Sequence, residues 1–253
     1  YRNGNYTVTL DTKTGTKVRE NDLDFFEPDT VESMDIKITN CCNMGCLMCH
    51  ENSTPDGKHA DLFAPSFLDN LHPYTELAIG GGNPLSHPHL LQFLIKCKER
   101  KHIPNMTVNQ YHFKQNFNFI KQLIDCKLIY GLGISVSYFP DHEFCEMVKE
   151  IPNAVLHIIA GLDNSTDKYL RFFRDEGIKK ILILGTSDRM VKKIALRLQL
   201  PAPVKVFKIE DVASKEEIEL ARRSRQIEGK HVIPVPAIEV KREYPNIFFC
   251  KVL

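Results

Sequence analysis

The sequence lacks the features of three classes of protein. No apolar run reaches the roughly 18 residues that a membrane-spanning helix needs. The chain opens on Tyr1, Arg2 and Asn3 without the apolar stretch of a signal peptide. Its formal net charge is only +1, so it has no basic field of the kind that general nucleic-acid-binding proteins use. We therefore expect a cytoplasmic protein with no membrane partner and no general nucleic-acid partner.

Short β-rich runs alternate with helical patterns through most of the 253 residues. The β-rich runs are MDIKIT (34–39), ELAIG (76–80), NMTVN (105–109), GLGISVS (131–137), AVLHIIA (154–160) and KKILILG (179–185). Segments with apolar residues at helical spacing lie between them, at 89–100, 117–126, 142–151 and 168–177. This alternation predicts βαβ units and a parallel sheet. The spacing fits an open six-stranded partial barrel and also a doubly wound sheet.

The two ends of the chain are less regular. Residues 6–20 alternate and break at Thr14-Gly15, which predicts a β-hairpin. Beyond the sixth run, the patterns predict a seventh strand at 204–209, a surface helix at 214–229 and one more strand at 246–253. We expect three regions, namely a hairpin and connector at 1–30, an α/β domain at 31–205 and a C-terminal extension at 206–253.

The cysteines are unevenly distributed. Four of the eight lie within nine positions, at 41, 42, 46 and 49. In a chain without an export signal, such clustering indicates metal binding or catalysis rather than disulfides. Cys97, Cys126 and Cys145 fall inside helical patterns and are expected to be buried structural thiols.

Cys42, Cys46 and Cys49 have the spacing C-x3-C-x2-C directly after the first parallel strand. Active sites of parallel α/β folds lie at this end of the strands. Three thiolates can bind three irons of a [4Fe-4S] cluster and leave the fourth iron open. Zinc is the alternative, because His50 or Cys41 offers the fourth ligand of a closed site. Cys41 should point away from its neighbour Cys42, so we interpret it as structural.

This motif, in this position, resembles the radical S-adenosylmethionine (radical SAM) superfamily over residues 34–205. The second strand runs into LAIGGGNPLSHPHL, where the family has a glycine-rich motif, often Gly-Gly-Glu-Pro, that meets the amino group of SAM. The resemblance therefore implies SAM binding by Gly80, Gly81, Gly82, Asn83 and Pro84. Asn83 departs from the usual glutamate, so a neutral contact would replace a charged one.

The resemblance also implies SAM contacts from later segments. Met48 stands where the family often has an aromatic residue beside the adenine, and a thioether can pack on a purine ring. Polar residues of the fourth strand meet the ribose in the family, which points to Ser135 and Ser137 on one strand face. Residues of the fifth strand meet the adenine, which points to His157 and Ile159.

Two further segments are candidates for contacting the substrate. The polar loop HENSTPDGKHADL, residues 50–62, directly follows Cys49. Asn109, Gln110 and Tyr111 come at the end of the third strand. The sequence identifies no catalytic residue that acts on the substrate.

The resemblance implies a partial (β/α)6 TIM-like barrel with an N-terminal β-hairpin and a mixed C-terminal extension. It also implies a [4Fe-4S] cluster and SAM as cofactors, with a flavodoxin or ferredoxin-type electron donor. Reductive cleavage of SAM would give a 5′-deoxyadenosyl radical that takes hydrogen from a peptide, nucleotide or small metabolite. Because only Cys250 lies beyond residue 145, we expect no auxiliary cluster.

The stretches CHENSTPDGKH and GGGNPLSHP are similar to phage and bacterial radical SAM proteins of unassigned substrate. Two alternatives remain open. One is a zinc-stapled α/β binding module, and the other is a sensor that binds SAM or a nucleotide without turnover, which Asn83 suggests. The sequence does not identify the substrate or the role of Cys250.

Overall fold

The computed structural model describes residues 1–23, 25–46, 49, 51–64, 68–160, 166–185 and 247–251. The chain divides into two compact units, Tyr1–His157 with Phe173–Ile178 and Ile158–Phe172 with Lys179–Leu253. The region boundaries expected from the sequence, 1–30, 31–205 and 206–253, remain predictions. No helix among the described residues is long and apolar enough to cross a membrane.

The N-terminal residues form a small antiparallel sheet. Its strands are β1 (Arg2–Asn3), β2 (Tyr6–Asp11) and β3 (Thr16–Glu20), in the order β1-β2-β3. The predicted hairpin is therefore confirmed. Its turn needs Gly15, whose φ of +76° lies in the left-handed region that side chains disfavour.

A parallel sheet forms the centre of the first unit. Its strands are β4 (Ser33–Thr39), β5 (Glu76–Gly81), β6 (Ile103–Asn109), β7 (Gly131–Ser135) and β8 (Ala154–Ala160). They pair in chain order, each parallel to the next. In the second unit, β9 (Ile181–Gly185) pairs in parallel with β10 (Ile247–Lys251).

All six predicted βαβ strands and the final predicted strand are present, and the chain is a mixed α/β protein with a parallel sheet. Cys250 lies in β10. The strand predicted at 204–209 and the helix predicted at 214–229 lie outside the described residues.

Five α-helices are described. They are α1 (Leu90–Glu99), α2 (Gln110–Gln115), α3 (Phe117–Asp125), α4 (His142–Lys149) and α5 (Thr166–Asp175). Four of them were predicted from apolar periodicity, whereas α2 was not, because six residues give too few turns for a period to show. The start of α2 does carry a local signal, since Oδ1 of Asn109 accepts a hydrogen bond from the Tyr111 N–H (2.9 Å).

The two faces of the parallel sheet differ in polarity. One face is apolar and buried, and it carries Ile38, Leu77, Ile79, Met106, Val108, Leu132, Ile134 and Leu156. Both α1 and α2 pack against β6, and Phe93 of α1 and Phe113 of α2 are fully buried. Because burial of apolar surface is the main stabilising contribution, this face is the core. The opposite face is left to polar and small residues.

The thiols outside the cluster fall into two groups. Cys97 and Cys145 are fully buried as predicted, and burial raises the pKa of each thiol to about 12. The prediction for Cys126 was wrong, because this residue is exposed. The reason is that α3 ends at Asp125, so Cys126 is the residue that caps the helix and is not part of its buried stripe.

Candidate functional site

The three cysteines of the C-x3-C-x2-C motif follow the end of β4. The Cys42 N–H donates to the carbonyl of Thr54 (2.9 Å), and the Cys49 N–H donates to the carbonyl of Cys46 (3.0 Å). Burial raises the pKa of the Cys46 thiol, and the nearby Cys42 and Cys49 raise it further. Cys42 and Cys49 are therefore each within electrostatic reach of Cys46. Among the described residues, no group of three or more side chains is already arranged to hold a metal ion.

Cys49 has an environment that stabilises a thiolate. Burial alone would raise the pKa of its thiol, but hydrogen bonds from the backbone of Ser53, Glu51 and Asn52 lower it below its ordinary value. Oriented N–H groups stabilise anionic sulfur, and the thiolate is the form that binds metal. The turn after Cys49 is thus suited to a metal-ligating sulfur.

Cys41 has a different environment from its neighbour. Its Sγ donates to the carbonyl of Pro55 (3.1 Å), and its backbone forms a bridge with Thr54. This contact directs the thiol into the loop that follows the motif. Such a contact is typical of a structural cysteine, which is the interpretation made from the sequence.

The glycine-rich turn after β5 packs directly on the cysteine loop. The Gly82 N–H donates to the Thr39 carbonyl (2.7 Å), and the Asn83 N–H donates to the Cys41 carbonyl (2.7 Å). A Cβ atom on Gly82 would lie 2.4 Å from the Cys41 carbonyl oxygen, and one on Gly81 (φ +117°) would lie 2.3 Å from that of Thr39. The structure therefore brings the two predicted motifs together, and the glycines permit the contact between their backbones.

The other residues of this turn have separate roles. A Cβ atom on Gly80 would meet nothing within 4 Å, so this glycine leaves open space at the end of β5. Oδ1 of Asn83 accepts from the Leu85 N–H (3.2 Å) and caps a 3-10 turn at Pro84–Ser86. Pro84 is buried at the first position of that turn, where a missing N–H costs nothing.

The polar face of the sheet adjoins both motifs. Strand alternation puts one set of residues on this face, in register across the sheet: Lys37, Gly80, Asn105, Thr107, Asn109, Gly133, Ser135 and His157. Apart from the exposed Lys37, they are only partly exposed. Two of the predicted SAM contacts, Ser135 and His157, are direct partners in the register of β7 and β8.

His157 lies across the backbone of β7. A Cβ atom on Gly133 would be 2.5 Å from Cε1 of the imidazole and 2.9 Å from Oγ1 of Thr107. Burial lowers the pKa of His157 to about 4, because the charged ring loses hydration that nothing replaces. The histidine therefore presents a neutral imidazole at neutral pH, and it can take this position only because residue 133 is a glycine.

Ser137 lies beyond the end of β7 rather than in the strand. The two serines were predicted to share one strand face, but β7 ends at Ser135. The Ser137 hydroxyl accepts a hydrogen bond from Nδ2 of Asn109. Ser137 also donates its N–H to Oε1 of the fully buried Gln110 (3.1 Å). It is thus held at the end of β6.

The polar loop after Cys49 folds back along the end of β4. The Asn40 N–H donates to the Lys58 carbonyl (2.8 Å), and the Ala60 N–H donates to the Ile38 carbonyl (2.9 Å). Glu51 forms an ion pair with Lys37. This loop was predicted to contact substrate, and the structure adds that its backbone covers the start of the cysteine loop.

Three of the residues considered for the site have no described place in it. Met48 and His50 lie outside the described residues. Ile159 is partly exposed in β8 and belongs to the second compact unit.

Sequence reasoning missed the residues that join the site together. His112 and Asn43 are hydrogen-bonded to each other, with Nε2 to Oδ1 at 2.8 Å. The Ser86 hydroxyl donates to the Cys41 carbonyl (3.3 Å). A lone histidine and a serine after a proline carry no local signal of such contacts. Asn43 lies inside the cysteine motif, and this position was the one sequence signal that could have marked it as part of the site.

Comparison with known proteins adds no family assignment. A scan against protein-family models finds no match, and a search of curated proteins finds no relative.

Proposed function

We propose that the protein is a radical SAM enzyme. A [4Fe-4S] cluster held by Cys42, Cys46 and Cys49 would reductively cleave SAM to a 5′-deoxyadenosyl radical, which removes hydrogen from a peptide, nucleotide or small metabolite. The observation that carries the proposal is the packing of the glycine-rich turn on the cysteine loop, through the Asn83 N–H and the Cys41 carbonyl (2.7 Å). Chelation of SAM at an open iron needs these two segments side by side.

The thiols fit the chemistry of such a cluster. Three sulfur ligands leave one iron open, and hydrogen bonds to the sulfurs set the reduction potential. The N–H groups that lower the pKa of Cys49 would donate to a ligating sulfur. Cys41, which donates to the Pro55 carbonyl, would stay outside the ligand set.

The glycine-rich turn offers a place for the methionine part of SAM. Gly80 leaves space at the end of β5, so a ligand can approach the backbone closely. The Asn83 side-chain carbonyl has a second lone pair besides the one that caps the turn, and that lone pair can accept from an ammonium group. An amide replaces the family's carboxylate here, so this contact would be a hydrogen bond without a charge pair.

The polar face of the sheet would hold the nucleoside part. The Ser135 hydroxyl can donate to and accept from a ribose hydroxyl, and the neutral His157 can hydrogen-bond or stack with adenine. We further propose that the parallel strands belong to a partial (β/α)6 TIM-like barrel, with the hairpin and a C-terminal extension added. The enzyme would work in the cytoplasm, where a flavodoxin or ferredoxin supplies the electron.

An anaerobic reconstitution experiment tests the proposal. The protein is loaded with iron and sulfide, then mixed with SAM and dithionite, and 5′-deoxyadenosine is measured. We expect a brown protein that cleaves SAM, and complete loss of cleavage in Cys42→Ala. Cys41→Ala is the matched control, because it removes the adjacent thiol without removing a proposed ligand, and it should keep the cluster.

The alternatives predict different results. A colourless protein with one tightly bound zinc ion would support the zinc-stapled module and overturn the enzyme. A cluster that binds SAM but gives no 5′-deoxyadenosine, with dithionite and candidate substrates present, would support the sensor. Equal loss of the cluster in Cys41→Ala and Cys42→Ala would contradict the assigned ligand set.

A further inference from the structure

A side-chain hydrogen bond joins the short helix α2 to the cysteine loop. Nε2 of His112 lies 2.8 Å from Oδ1 of Asn43, with the ring N–H donating to the amide oxygen. His112 is only 3% exposed, whereas Asn43 is exposed, so the hydrogen bond is partly buried. Asn43 directly follows Cys42, and the bond spans 69 positions of the chain. The contact therefore ties the loop to a distant element.

The helix end of this contact is firmly placed. Gln110 at the start of α2 is fully buried, and its Oε1 accepts from the N–H groups of Ser137 (3.1 Å) and Tyr138 (3.4 Å) after β7. Phe113 is also fully buried and packs edge-to-face on Phe144, with ring centroids 5.8 Å apart. His112 lies between these two anchored residues, so its ring has little freedom to move.

The loop end has far fewer contacts of its own. Gly45 has a φ of +59° and open space around it, and Asn43 and Cys46 are exposed. For residues 43–45, the contact to His112 is the one hydrogen bond that the structure describes. Among the described contacts, the Asn43 side chain is thus the one that fixes residues 43–45, next to the backbone hydrogen bond from Cys42 to Thr54.

We propose that His112 is a positioning residue that restrains the cysteine loop through Asn43, and with it the neighbouring Cys42 and Cys46. The inference deepens the proposed function, because a preorganised set of thiols is what a cluster or metal requires. Groups that orient ligands from outside the ligand set commonly change metal affinity by about 10-fold or more. His112 would touch neither cluster nor SAM and would act only through Asn43.

The first test uses metal-free protein and does not depend on the cluster. Alkylation of each thiol by iodoacetamide is followed by peptide mass spectrometry in the wild type, His112→Ala, Asn43→Ala and the double variant. Loss of the hydrogen bond should raise the rate at the half-buried Cys42 by about five-fold, whereas Cys46 is already exposed and serves as the reference for an accessible thiol of the same loop. The double variant should react no faster than either single variant, because both remove the same contact. His112→Gln retains a donor and should restore much of the protection.

Two controls separate loop opening from general loss of stability. Cys97 and Cys145 are fully buried, so their alkylation reports unfolding of the core in every sample. His102→Ala removes another buried histidine, one whose Nε2 contacts the Leu68 carbonyl (3.3 Å) and not the loop. Its Cys42 and Cys46 rates should match the wild type once the Cys97 rate is taken into account. An unchanged Cys42 rate in His112→Ala would overturn the positioning role.

The second test uses the reconstituted protein. Iron and sulfide retained per chain after challenge with a chelator should fall about 10-fold in His112→Ala and in Asn43→Ala, and the electron paramagnetic resonance spectrum of the reduced cluster should change. His112→Gln should retain the wild-type spectrum. If wild-type protein forms no cluster, the proposed function fails, while the alkylation rates still decide the role of His112. Full iron retention with unaltered spectra in both alanine variants would count against the positioning role.

Discussion

At the scale of single residues, the site depends on glycines whose missing side chains let other atoms approach. Gly82 allows contact between two loops, and Gly133 makes room for the imidazole of His157. Gly80 is on the same sheet but has open space around it. Alanine substitution is therefore expected to have a different effect at each of these glycines.

Gly133→Ala should displace His157. The added Cβ atom would meet the imidazole at 2.5 Å, so the ring must move toward solvent. The pKa of His157, about 4 in this structure, should then rise toward its ordinary value of 6.5, measured by NMR titration of the imidazole protons. The free energy of unfolding should fall by about 2 kcal/mol. An unchanged His157 pKa in a stable variant would contradict the proposed packing.

Gly82→Ala and Gly80→Ala should separate folding from ligand binding. In Gly82→Ala the new methyl would lie 2.4 Å from the Cys41 carbonyl oxygen, so the free energy of unfolding should fall by about 3 kcal/mol. Gly80→Ala should change it by less than about 0.5 kcal/mol but weaken SAM binding to the reconstituted protein. Chemical denaturation and equilibrium dialysis measure the two quantities. Normal SAM affinity in Gly80→Ala would remove this glycine from the proposed site.

At the scale of elements, a charged network attaches the N-terminal hairpin to the start of the parallel sheet. Glu32, just before β4, accepts two hydrogen bonds from Arg19 of β3, at 3.0 Å from Nε and 2.7 Å from Nη2. It also accepts one from the Tyr6 hydroxyl of β2, and Lys17 of β3 pairs with both Glu32 and Glu76 of β5. Burial opposes the charge of Glu32, but these donors lower its pKa to about 2.

This network should make the stability of the protein sensitive to acid. The folded protein keeps Glu32 ionised down to about pH 2, whereas the unfolded chain takes up a proton near its ordinary pKa of 4.5. The contribution of Glu32 is therefore complete above about pH 5 and is lost as the pH falls toward 2. Glu32→Gln should cost about 2 kcal/mol at pH 7 and flatten the pH dependence between 5 and 2. Denaturant titrations across this range, with the exposed Glu20→Gln as control, measure both effects, and an equally steep profile in Glu32→Gln would refute the assignment.

At the scale of the whole molecule, the cysteine loop and the glycine-rich turn both lie in the first compact unit. A ligand that bridges them would bind the folded state and not the unfolded chain. Binding would therefore stabilise this unit according to ligand concentration.

SAM should raise the thermal stability of the reconstituted protein. At 100 times its dissociation constant, a ligand of the native state adds about 2.7 kcal/mol, which corresponds to about 5–10 °C for a chain of this size. Circular dichroism measured during heating, with and without SAM, gives the shift. Cys42→Ala should show none, because the open iron that anchors SAM would be missing. An equal shift in Cys42→Ala would mean that SAM binds elsewhere.

The secondary structure could be predicted from the sequence because its signals are local. The strand at 154–160 follows from a short run of β-favouring residues, and the helix at 142–149 from a period-3.6 pattern. Where the pattern was short or the chain turned early, as in α2 and at Cys126, the predictions failed. The position of the cysteine motif after β4 was equally accessible, because parallel strands present their carboxyl ends at one edge.

By itself, the sequence determined the alternation of strands and helices along the chain and the two motifs at the ends of β4 and β5. Three contacts were decided only by the tertiary structure. The Asn83 N–H donates to the Cys41 carbonyl, and His112 is hydrogen-bonded to Asn43. The imidazole of His157 lies over Gly133. Each of these contacts joins residues from different strands or loops. Their closeness results from how the sheet pairs and packs, and no short window of sequence contains that information.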